Sequence, residues 1–143
     1  MTTLRKVATT GAAFLVSQVL AVAVHGFILS KDYEPFYGTL LRKSSGGSWQ
    51  MLLLPVAHLF FVSALVWVYA RVVLQGGTFI RGLKLGVLGW MLGQAPLWLL
   101  WYAEQPWPGE LVAKQLALEF LSSLVIGVTI AGTARETRAR DMA

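Results

Sequence analysis

Four stretches of this chain run for more than twenty residues each with few charges, and that pattern constrains the fold more than any motif does. They cover roughly 7–29, 51–74, 83–103 and 111–133. A helix rising about 1.5 Å per residue crosses the hydrocarbon core, about 30 Å thick, in about 20 residues. Each stretch is therefore long enough to span a bilayer. None shows the sustained period-two alternation of a membrane strand. The expected fold is all-α: one transmembrane domain, an integral membrane four-helix bundle.

Composition supports the same class. Of 143 residues, 56% are hydrophobic and 13% charged, with mean hydropathy +0.62, whereas soluble domains carry about 25% charged residues. Cysteine is absent, which removes disulfide frameworks, thiolate metal sites and covalently attached haem. The net charge of +5 is spread over the flanks of apolar runs and forms no helical stripe, so no nucleic-acid partner is expected. Membrane lipid is the expected surrounding.

Those flanking charges set an orientation. With both termini on one side, that side holds Arg5, Lys6, Arg71, Arg81, Lys84, Arg135, Arg138 and Arg140; the other holds Lys31, Arg42, Lys43 and Lys114. Eight against four predicts cytoplasmic termini and a multi-pass protein of a bacterial inner membrane. The first run, with Ala21-Val22-Ala23 as a weak cleavage motif, is read as a true span rather than a leader. Between the first two spans, Tyr33, Phe36, Tyr37, Leu40 and Leu41 are spaced to line one side of a short interfacial helix after Pro35, with Arg42 and Lys43 at its end.

Packing in lipid needs small residues and a few polar contacts. Gly82, Gly86, Gly89 and Gly93 supply such a face on the third span; it suits packing on a neighbouring helix of the same chain, with a homo-oligomer seam as the second use. Pro55, at the start of the second span, is tolerated there. Pro96 sits well inside the third and predicts a kink near Leu92 or Gly93.

Each span also carries one strongly polar residue at a similar depth. From the outer boundary, His25 falls about 6 Å deep, His58 about 10 Å, Glu119 about 12 Å and Gln94 about 14 Å. Polar groups facing acyl chains cost several kcal/mol, so they turn inward and find partners. His25, His58, Gln94 and Glu119 are thus the candidate ligand-binding residues, with Trp98, Tyr102, Ser63 and Ser122 within reach of the edges. Two histidines and a carboxylate also make His25, His58 and Glu119 a candidate set for a divalent metal. The two imidazoles alone would suit a b-type haem. A raised pKa on Glu119 would instead serve proton exchange, and a hydrogen-bond network holding helix register would need no ligand at all.

The VHG ending of the first span, the tyrosine-containing outer loop, the glycine-rich third span ending in WYAEQPWP, and a glutamate followed by small residues in the fourth span carry a resemblance. Together they resemble an uncharacterised class of small bacterial four-helix membrane proteins. The resemblance implies a compact bundle and brings no activity, cofactor or ligand set. The functional expectation is therefore a binding or accessory membrane protein, such as an auxiliary subunit of a larger complex, with an outer-leaflet polar pocket. Two alternatives stand beside it: a haem- or metal-dependent redox protein using His25 and His58, and a small proton-coupled transporter. No phosphate-binding glycine motif, zinc-protease motif or serine elbow is present, and catalysis is not expected.

Overall fold

The computed structural model describes residues 1–41, 49–72 and 74–134. Helix α1 (Thr3–Ala21) continues as a π-helical segment, Val22–Ile28. A short α2 (Ser30–Tyr33) and a 3-10 turn over Glu34–Phe36 follow. After a 3-10 turn at Trp49–Leu52 come α3 (Leu53–Arg71), α4 (Thr78–Leu92), α5 (Gln94–Glu104) and α6 (Gly109–Ala134). Taking α1 with its π extension and α4 with α5, four helical units are long and apolar enough to cross a membrane: Thr3–Ile28, Leu53–Arg71, Thr78–Glu104 and Gly109–Ala134. The described residues form no strand.

Helix α6 is the centre of the bundle, touching α1, α3, α4 and α5. Its contact with α4 is the closest, and glycine is the reason. A methyl group at Gly82 would lie 2.6 Å from Val128 Cα, and one at Gly86 would lie 2.5 Å from the Ser123 carbonyl oxygen. Gly127 answers from α6, against the backbone of Gly82 and Gly86. Higher on the same face, Gly89 and Gly93 receive Leu65 and Phe61 of α3. All four glycines of the third span are thus packed within the chain.

The third span breaks where Pro96 requires it. Gly93 adopts φ −111° and ψ −81°, ending α4, and α5 restarts at Gln94. Proline is placed in the first turn of α5, where its missing N–H has no partner to lose. Pro55 likewise occupies the first turn of α3.

The segment between the first two spans differs from expectation. Its helix precedes Pro35 and ends by Phe36; no helix follows among the described residues up to Leu41. Residues 37–41 instead make a tight turn, with Gly38 at φ 87°, closed by Gly38 N–H to the Leu41 carbonyl and Leu41 N–H to the Phe36 carbonyl. Gly38 suits this because a positive φ costs it little. Tyr33 is buried while Tyr37 is exposed, so the aromatic residues do not share one face. Arg42 and Lys43 lie outside the described residues.

Two apolar clusters result. One, toward the termini, joins Ala13, Val62, Leu65, Val66, Leu85, Ile126 and Ile130. The other, at the α2 end, joins Val24, Leu29, Tyr33, Trp98, Trp107, Leu111 and Val112. On α6 the residues between them are Gln115, Glu119, Ser122 and Ser123. A polar layer therefore separates two dry halves of the core.

Candidate functional site

The layer is assembled by the π segment of the first span. Leu29 N–H bonds to the Val24 carbonyl five residues back, at 2.9 Å, which is the wide-turn register of a π-helix. Within that segment His25 points toward α6. Its Nε2 lies 2.9 Å from Glu119 Oε1, and its Nδ1 lies 2.8 Å from the Tyr33 hydroxyl. One imidazole thereby joins the first span, α2 and α6.

The geometry accommodates two proton arrangements. With a neutral ring, Tyr33 donates its O–H to Nδ1 and the ring donates Nε2–H to the carboxylate. With a charged ring, both nitrogens donate, to the tyrosine oxygen and to Glu119. Tyr33 is 7% exposed; burial, with the charge of Glu119 adding to it, pushes its phenol above the ordinary tyrosine range. The phenol is thus held in its donor form. Above the triad, Lys114 donates to Asp32 at 3.2 Å and pairs with Glu110 at 3.1 Å, tying α2 to α6 from the rim.

Gln94 enters the layer beside the triad. Its Oε1 accepts the Ser123 hydroxyl at 3.3 Å, one turn of α6 below Glu119. The helix break positions it, since Gln94 is the first residue of α5. Trp90, on the last turn of α4, donates its indole N–H to the Leu116 carbonyl at 3.0 Å.

His58 is half-buried and lies close enough to Glu119 and His25 for their charges to act on it, yet it makes no hydrogen bond to a described residue. Trp98 is buried, but in the apolar cluster, edge-on to Trp101 and Trp107. Tyr102 is half exposed and its hydroxyl faces Gly109, about 15 Å above Glu119 by helical rise. Neither residue reaches the polar layer. Ser122 is buried in it.

Ligation by His25, His58 and Glu119 is not what the side chains make. Both ring nitrogens of His25 are engaged with Tyr33 and Glu119. Among the described residues, no three His, Asp or Glu side chains are placed to hold a metal.

Three residues of the layer, Tyr33, Gln115 and Ser123, were not candidates from sequence. Tyr33 carried one usable signal: a buried tyrosine hydroxyl requires a partner, and His25 lies eight residues earlier. Gln115, one turn above Glu119 on α6, is fully buried, and neither its Oε1 nor its Nε2 has a partner. Its spacing from Glu119 was the available sign. Compared with known protein families, curated proteins and solved structures, the chain matches none.

Proposed function

We propose that the chain is a small integral membrane binding or accessory protein, working as an auxiliary subunit of a larger membrane complex in a bacterial inner membrane. Its functional element is the polar layer, which takes up a proton or a small polar ligand in the outer leaflet. The reading rests on one observation: a histidine bonded on both ring nitrogens, by Tyr33 and by Glu119, within helices otherwise apolar. Ionisable groups at such depth are costly and are retained where they act. The excess of basic residues beside the termini supports cytoplasmic ends.

With two histidines in the chain, ¹⁵N-histidine labelling gives an uncrowded test. In bilayers, both His25 ring nitrogens are expected to show the signals of hydrogen-bonded sites, Nδ1 with the Tyr33 hydroxyl and Nε2 with Glu119. Glu119→Gln should change the Nε2 signal, and Tyr33→Phe the Nδ1 signal. His25 signals that ignore both substitutions would remove the contact on which the reading rests.

The broken third span favours a second reading, a small proton-coupled transporter. Discontinuous helices mark many transporter sites, and the break at Gly93 places Gln94 in the layer. Liposomes carrying the protein should then show proton flux that is lost in Glu119→Gln.

A further inference from the structure

We infer that the polar layer opens sideways into the bilayer, between α3 and the π segment, and that it binds there a lipid with an uncharged, hydroxyl-bearing head. The inference needs the chain to span a membrane; it rests on the reading of the layer as a binding element and names the class of its ligand.

The opening follows from how α3 is packed. In its inner half, Val62, Leu65 and Val66 join the inner apolar cluster, and Phe61 and Leu65 fill the glycine face of α4. Its outer half stands apart. Among the described residues, none from α3 belongs to the outer apolar cluster, and neither the π segment nor α5 packs closely against that helix. Leu54, four residues before His58 and so on the same face, is 61% exposed. A slot is left beside His58.

The slot leads to the layer. The two apolar clusters close the layer toward either membrane face, yet the side chains of His25 and Glu119 are still 36% and 15% exposed. That exposure is to the side. Glu119 engages His25 through Oε1, and its Oε2 bonds to no described residue. His58, near enough to Glu119 for the two charges to interact, also bonds to none. Hydrocarbon can satisfy neither group.

These two groups define the head of the ligand. A carboxylate oxygen accepts, and an imidazole offers an N–H. One hydroxyl group answers both, donating its O–H to Glu119 and accepting from His58. A phosphate head would be repelled by the carboxylate and would have to shed its water. An uncharged head reaches the depth of His58, about 10 Å below the boundary by helical rise, at far lower cost, while its tail stays among acyl chains.

Histidine ¹⁵N spectra of the full chain in phosphatidylcholine nanodiscs test this. The probes are dioleoylglycerol, farnesol and a ubiquinol, each beside its hydroxyl-free counterpart: trioleoylglycerol, farnesyl methyl ether and the ubiquinone. At least one hydroxyl lipid should shift the His58 ring signals saturably, with about tenfold higher affinity than its counterpart, as two hydrogen bonds in an apolar setting give. A lipid-bound nitroxide should broaden the His58 signals, and an aqueous gadolinium chelate should not. His58→Leu, which breaks no hydrogen bond to a described residue, should keep the wild-type melting curve in micelles and lose the stabilisation that the same lipid confers. The His25 signals keep the two readings apart. If they are those of bonded nitrogens, a His58 that ignores every hydroxyl lipid, answers the counterparts equally or is broadened by the chelate overturns this inference and leaves the layer standing. Unbonded His25 nitrogens overturn both.

Discussion

His25 and Gln115 occupy the same layer and are expected to respond in opposite directions. Removing His25 strands both the Tyr33 hydroxyl and Glu119, and an unpaired buried polar group costs about 1–3 kcal/mol. His25→Ala should therefore lower unfolding free energy by about 2 kcal/mol or more, read by denaturant titration in micelles. Gln115 has neither amide atom satisfied; Gln115→Leu, similar in volume, should raise the melting temperature, corresponding to about 1–3 kcal/mol. Tyr33 makes a pH prediction. Its folded pKa lies above the unfolded value of about 10, so its contribution is intact below pH 10 and falls as pH rises beyond it. Tyr33→Phe should flatten that alkaline loss. Sequence located His25 and Glu119 because charge inside an apolar run is conspicuous. Tyr33 and Gln115 escaped notice: a tyrosine beside a membrane boundary passes for an interface anchor, and a glutamine among leucines becomes meaningful only once its burial is known.

The glycines of the third span are not interchangeable with others in the chain. At Gly86 an added methyl meets α6 backbone, which cannot move aside as a side chain can, so Gly86→Ala should cost about 1–3 kcal/mol by overpacking. Gly132, with nothing within 4 Å, provides the contrast: Gly132→Ala should be neutral or stabilising by up to about 1 kcal/mol. Parallel melting curves decide both. The break in the third span was legible because proline acts locally on its own backbone. The π segment was not, because the extra residue in each turn is imposed by where His25 must reach, and VAVHGFI carries no local mark of it. The short helix was misplaced for a related reason. Spacing along 33–41 suggested an amphipathic face, but Tyr33 is drawn inward by His25, and the chain turns back at Gly38.

Large apolar side chains cover the outside of the whole molecule; Phe27, Phe60 and Leu92 are 72–76% exposed. Such a surface suits acyl chains better than water, and it is why four spans could be read from hydropathy alone. Which faces meet could not, since hydropathy is nearly uniform around each helix. Orientation is checkable in intact cells: a cysteine placed at Thr39 should react with an impermeant maleimide from outside, and one at Gln75 only after permeabilisation. The division of the core into two apolar clusters has a mechanical consequence. Sewn together by glycine, α4 and α6 act as a stem, on which α2 and the tryptophans rest as a cap, and the pin between them is an imidazole bonded on both ring nitrogens. Amide exchange should accordingly be slow in the stem and should quicken in the cap alone when that pin is removed by His25→Ala.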